Sequence, residues 1–357
     1  MNKRWLLLWF GMTALLFTGS RWLPVPEPYV PVYPANFGNR LNIPADNPLT
    51  KEGVLLGRML FYEPLLSANN KISCGSCHQQ QRAFTDGKKF STGIDSIPTE
   101  RNSMSLANLL WVRHFFWDGR VESLEQQALT PLTALHEMGQ PLDISASKLR
   151  RNQHYRALFN AAFGNSNITG DQIVHALAQF ERTLISANAP YDRYLAGQYQ
   201  LPPAGERGMQ LFMTAPDPGK KIRGANCAHC HGSPKLYMEL FHNNGLDSLP
   251  LDPGREKLTG LAADRGRFRI PTLRNIALTA PYMHDGRFST LEEVLDHYSE
   301  HIIQSPSLSP VLRNTSNDVN GTSLKLSRSE QKDIIAFLQL LTDSTFINNP
   351  QFSNPFN

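Results

Sequence analysis

Two short segments, Cys74-Gly-Ser-Cys77-His78 and Cys227-Ala-His-Cys230-His231, constrain this chain more than any other feature. Each sets two cysteines three positions apart with a histidine directly after the second, the spacing by which a c-type haem is attached. The thiols add across two haem vinyl groups, and the adjacent imidazole is placed to ligate the iron from the proximal side. All four cysteines of the chain fall in these motifs. A structural zinc site also uses Cys-x-x-Cys pairs. The pairs of one zinc site usually lie closer in sequence, however, and none needs a histidine directly after the cysteine. Two covalently bound haems c, ligated by His78 and His231, are therefore expected.

With 357 residues the chain is long enough for two domains, each with its own core. Its net charge is only +4, with no Lys/Arg block, so it lacks the basic face that nucleic-acid binding requires. Lys220, Lys221 and Arg223 read as a solvated loop. Lys3 and Arg4 precede an uncharged apolar run from Trp5 to Phe17, followed by the small residues Thr18, Gly19 and Ser20. That order reads as a signal peptide over residues 1–20, and hence export to the periplasm. The run is short against the ~20 residues of a bilayer span, so cleavage is favoured over an uncleaved anchor. Five prolines between Pro24 and Pro34 make residues 21–45 a Pro-rich, extended linker.

The chain then repeats itself. Pro98-Thr99-Glu100-Arg101-Asn102 is echoed by Pro271-Thr272-Leu273-Arg274-Asn275, and Trp117-Asp118-Gly119-Arg120 by His284-Asp285-Gly286-Arg287. Order-preserving similarity of this kind marks an internal repeat. Haem domains are expected over residues 46–197 and 198–357, the second ending in a C-terminal tail, with Pro190, Gly197, Pro202 and Pro203 punctuating the boundary. Helical signals dominate. Thr169-x-x-Gln172, Ser289-x-x-Glu292 and Ser327-x-x-Glu330 read as capping boxes. Apolar stripes follow them: Ile173, Leu177, Phe180 and Leu184; Leu291, Leu295 and Tyr298; Ile334, Leu338 and Leu341. Ser123-x-x-Gln126 opens a further helix that Pro131 is expected to close. The fold class is mainly α: two cytochrome c-like haem domains related by internal duplication.

From about Asn47 to Leu341, the order and spacing of these motifs resemble the bacterial di-haem cytochrome c peroxidases and the related MauG enzymes. The resemblance implies that the haem of His78 is the peroxide site and that the haem of His231 receives electrons. Trp117, within Phe116-Trp117-Asp118-Gly119-Arg120, would relay charge between them. It also implies distal residues at Gln127 and Glu137. Peroxide heterolysis moves a proton from one oxygen to the other, a task for a carboxylate beside open iron.

Two departures from the peroxidase pattern follow. Ile94 stands where many of those peroxidases carry a distal histidine, and it cannot ligate iron, so the first haem is expected to be open at rest. Tyr298 stands where they place an axial methionine, as in MauG, and a tyrosinate oxygen is a hard ligand that favours oxidised iron. The resemblance further implies one calcium held by Asn102, Thr279 and Pro281, the last two through carbonyl oxygens.

The leading expectation is a periplasmic peroxidase that reduces hydrogen peroxide to water. Its electrons would come from a small redox protein, a monohaem cytochrome c or a cupredoxin. The alternatives are a MauG-like oxidase that acts on a partner protein, and a non-catalytic di-haem electron carrier with both irons saturated. A homodimer is common in peroxidases of this type.

Overall fold

A computed structural model describes residues 25–356. The expected signal peptide, residues 1–20, and residues 21–24 of the linker lie outside them. Each half of the described chain is built on one helix pair brought close by glycine. In the first half, Lys51–Phe61 starts at Thr50, whose side chain accepts from the Gly53 amide, and it buries Leu56, Leu60 and Phe61. It lies against Gly170–Arg182, the helix opened by the Thr169–Gln172 capping box. A Cβ on Gly57 would strike the Ala176 carbonyl oxygen, so the close approach requires glycine there. In the second half Pro203–Met213 lies against Arg328–Gln339, capped by Ser327 and Glu330. Here a Cβ on Gly208 would strike the Asp333 carbonyl oxygen.

The aromatic contacts at the two crossings match. Phe61 and Phe180 have ring centroids 5.3 Å apart at 61°; Phe212 and Phe337 are 5.2 Å apart at 59°. Leu124–Thr133, Leu142–Arg150 and Gln153–Phe163 add to the first half, and Leu291–Glu300 packs on Arg328–Gln339 in the second. The strands named among the described residues are two-residue pieces, Phe241–His242 paired antiparallel with Phe268–Arg269. The protein is mainly helical.

Three details depart from the sequence reading. The Leu291–Glu300 helix is capped by Thr290 with Glu293 three residues on, not by Ser289 with Glu292. Both registers satisfy the box pattern, but only Thr290 places Leu291 at the first buried turn. Pro131 lies inside Leu124–Thr133 rather than at its end; one more turn persists because the Ala134 amide still reaches the Thr130 carbonyl at 2.9 Å. The third is the pairing of the repeats. In geometry Asn275 resembles Asn108 rather than Asn102: both are left-handed (φ 60° and 63°), buried, and open a 3-10 turn. Each lies nine residues before its x-Asp-Gly-Arg segment.

Buried apolar side chains form two clusters, one running from Phe37 to Leu184 and one from Tyr191 to Leu341. The first also takes in Tyr237, shortly after the second motif, and Phe346 and Phe352 beyond the second helix pair. The Pro-rich segment is extended but not detached. Phe37 is buried in the first core, its carbonyl accepts from Lys235 Nζ at 2.6 Å, and the Gly38 carbonyl accepts from Trp111 Nε1 at 2.9 Å.

Candidate functional site

The first Cys-x-x-Cys motif is a single helical turn, Cys74–Cys77, entered through Ser73, whose amide donates to Ser76 Oγ at 3.0 Å. His78 follows with Nδ1 2.7 Å from the Phe84 carbonyl oxygen. That acceptor fixes the proton on Nδ1 and leaves the Nε2 lone pair free, the arrangement metal-bound imidazoles use. Phe84 presents its carbonyl because it is left-handed (φ 63°), an unusual state for a buried aromatic residue. The second motif repeats the device: His231 Nδ1 lies 3.3 Å from the carbonyl of Leu236, which is left-handed at φ 58° and fully buried. Burial lowers the pKa of both imidazoles, that of His231 to about 4, so both stay neutral as iron ligation requires.

The cysteines are not paired with one another. Burial pushes all four thiols up, Cys227 to about 12 and Cys230 to about 11. Zinc would need thiolates converging on one point. Among the described residues, no three of His, Cys, Asp and Glu are grouped to hold a metal ion. Neutral thiols beside an oriented imidazole fit thioether attachment of a haem.

Around the first motif, Glu137 is half-buried. Burial raises its carboxyl pKa, the Arg120 cation opposes the shift, and its charge is felt at both Cys74 and Cys77. Its backbone is held by the loop that carries Ile94, whose amide donates to the Glu137 carbonyl at 2.9 Å. Gly93 is required there, since a side chain would strike the His136 carbonyl. Gln127 sits on the Leu124–Thr133 helix that leads into this segment. Its Oε1 is buried without a hydrogen-bond partner, an unmet acceptor that a bound water or ligand would satisfy.

At the second motif Tyr298 accepts from Asn244 Nδ2 at 3.2 Å. Its hydroxyl is pushed up to about 12, mainly by burial and further by Cys230 and Cys227. The phenol therefore lies within electrostatic reach of the second motif's cysteines.

Between the motifs lies a cavity of about 70 Å³ lined by Asn102, Trp117, Arg269, Thr279, Pro281 and Met283, among others. It brings together the three residues expected to hold calcium and the residue expected to relay charge. Trp117 Nε1 donates to the Asn102 carbonyl at 2.8 Å, and the Trp117 carbonyl accepts from the Arg269 amide at 2.7 Å. The indole is 6.5 Å from the His284 ring, its counterpart in the second half. Asn102 Nδ2 donates to the Lys88 carbonyl at 2.8 Å, which leaves Oδ1 as the free end of the amide. Sequence reasoning did not find the Phe84 and Leu236 carbonyls, Arg269 or the buried Glu181. No residue-type pattern marks an apolar residue that must turn left-handed.

A family model for di-haem cytochrome c peroxidase matches residues 51–200. The chain is 36% identical over 299 residues to the methylamine utilization protein MauG of Methylophilus methylotrophus, covering 84% of each. It is 32% identical over 329 residues to the cytochrome c551 peroxidase of Nitrosomonas europaea, covering 88% of this chain and 85% of that one. It also resembles the crystal structure of a MauG-like protein associated with microbial copper homeostasis. That match has 37% identity and a TM-score of 0.79, over 90% of this chain and 98% of the other. Membership implies two c-type haems, for which the two Cys-x-x-Cys-His turns and their oriented imidazoles are fitted. The chain belongs to the di-haem cytochrome c peroxidase and MauG family of oxidoreductases.

Proposed function

We propose that the chain consumes hydrogen peroxide at the haem of His78, as a periplasmic peroxidase that draws electrons from a monohaem cytochrome c or a cupredoxin. The observation that carries this reading is the asymmetry of the two sites. The first combines a half-buried carboxyl, Glu137, with an unpartnered amide oxygen on Gln127 and a non-ligating Ile94. The second offers the oxygen of Tyr298. A bound haem supplies the redox chemistry of peroxide cleavage. His78 would hold the iron through its Nε2, its ring kept in place by the Phe84 carbonyl. Glu137 carries a proton between the peroxide oxygens, which its raised pKa suits, and Gln127 orients the peroxide. Trp117, lodged between the halves, relays charge. Asn102, Thr279 and Pro281 hold calcium in the cavity below it through oxygen donors. The two halves are cytochrome c-like domains produced by duplication, meeting near residues 197 and 198. The matching phenylalanine pairs and left-handed carbonyl donors support that history. The expected homodimer, and export by the N-terminal segment, belong to the same reading.

A second reading has a specific observation behind it. Ile94 and Tyr298 both follow the MauG pattern, and a MauG relative is 36% identical, against 32% for the peroxidase of Nitrosomonas europaea. In that reading the oxidising power generated by peroxide acts on a residue of a partner protein. EPR of the resting ferric protein, followed by peroxide, tests both. A high-spin signal beside a low-spin one, both lost on stoichiometric peroxide, is expected. Two low-spin signals indifferent to peroxide would leave an electron carrier instead. Steady turnover with a reduced monohaem cytochrome or cupredoxin then separates peroxidase from MauG-like oxidase.

A further inference from the structure

One corner of the first half differs in kind from its counterpart. Glu181 follows Phe180 on the Gly170–Arg182 helix, is only 4% exposed, and has its Oε2 buried without a hydrogen-bond partner. In the second half Phe337 takes the place of Phe180, and the residue after it is Leu338, buried at 5%. One half closes this corner with hydrocarbon and the other with a carboxyl. An unpartnered carboxyl in a core opposes folding, so stability does not explain it.

The groups around Glu181 sharpen the contrast. On its own helix Arg182 is turned away, its guanidinium held by Glu125 at 2.7 and 3.0 Å and by the Asn42 carbonyl at 2.8 Å. From the Leu124–Thr133 helix, Glu125 adds negative charge. On the Lys51–Phe61 helix the charged groups point elsewhere: Lys51 to Glu27, Glu52 to the Glu27 amide, Arg58 to Ser353. From the first haem-attachment turn comes Cys74, whose thiol is pushed up by burial first and by Glu181 next. Burial above all, with Glu125 adding and Arg182 opposing, lifts the Glu181 carboxyl to about 8. Glu181 therefore sits inside the electrostatic reach of the first haem's point of attachment, and the one cation that opposes its shift, Arg182, is already bonded to Glu125.

We propose that Glu181 is the proton-holding group of the first site, taking up one proton from bulk water when one electron from an external donor enters that site and releasing it when the electron leaves. One electron and one proton enter together, so the charge buried in the first core is unchanged; in the second half Leu338 allows no such compensation. The proposal rests on the reading that Cys74, Cys77 and His78 hold a haem.

The test is a spectroscopic redox titration of the holoprotein from pH 6.5 to 9.5, following each haem separately in the native chain, Glu181→Gln and Glu181→Leu. Peptide mass at Cys74 and Cys77 is measured first, since a missing haem there would overturn the site itself, independently of any titration. In the native chain the reduction equilibrium of the first haem should fall about tenfold per pH unit above the pH where Glu181 begins to lose its proton in the oxidised state. Both variants should flatten it, leaving the second haem's profile unchanged. A reduced-minus-oxidised infrared spectrum should show a protonated-carboxyl band that both variants lack. An undiminished slope in Glu181→Gln, or a carboxyl band that survives both substitutions, would overturn the proposal.

Discussion

Glu137 and Tyr298 each carry an oxygen whose pKa burial raises, yet the consequences run in opposite directions. As a proton carrier Glu137 must first be ionised, and its raised pKa delays that step beyond the ordinary carboxylate range. Peroxide consumption should therefore increase with pH through that raised pKa and level off above it. Glu137→Gln should abolish the pH dependence and slow the step by about 10²–10⁴-fold, the usual weight of a positioned proton-transfer group. Stopped-flow mixing with peroxide across pH measures both. For Tyr298 burial holds the phenol neutral, with its pKa at about 12; to ligate iron it would have to give up that proton. Tyr298→Phe should change the EPR signal of the second haem and leave that of the first intact, whereas an unchanged spectrum would take Tyr298 off the iron. The expected attachment residues stood out in the sequence because each set lies in one contiguous five-residue signature. The residues that aim the imidazoles did not. Phe84 and Leu236 act through carbonyls turned by left-handed backbone, and sequence preference assigns that conformation to glycine and asparagine instead.

Helix ends in this chain show both the reach and the ambiguity of local patterns. The boxes at Thr169 and Ser327 stand where the sequence sets them, because a short polar side chain precedes Gln or Glu at the one available register. Around Ser289-Thr290 two registers fit, and tertiary burial of Leu291 selects the second. Thr290→Ala should cost about 1 kcal/mol, the typical loss of an N-cap, while Ser289→Ala should change thermal unfolding little. Equal losses would refute the observed register. The helix crossings were invisible for another reason. Gly57 and Gly208 look like weak points in a helical stretch until the carbonyls of Ala176 and Asp333 are seen pressed against them. Only the partner helix, more than a hundred residues away, makes them necessary.

Across the whole molecule, charged clamps set the two halves against each other. Arg101 holds Asp252 of the second half at 2.7 and 2.9 Å while gripping Asp118, the neighbour of Trp117, at 2.6 Å. Glu239 meets the Arg113 amide and the His114 ring, both at 3.1 Å. Asp252→Asn should therefore slow electron equilibration between the haems, read by flash reduction, without altering either haem's spectrum. The recurring motifs suggested two halves, and the final segment crosses from the second of them to the first. The final segment packs on the first half: Gln80 Nε2 donates to the carbonyls of Phe346 and Asn349, Tyr62 Oη to that of Phe352, and the Phe346 ring lies 5.5 Å from that of Phe84. The residue whose carbonyl aims His78 is thus braced by a segment that follows both helix pairs in the chain. The first half is begun early and finished last. Until Phe346 and Phe352 are in place the first core lacks the wall behind Phe84, so the carbonyl that orients His78 is set only after the second helix pair has been made.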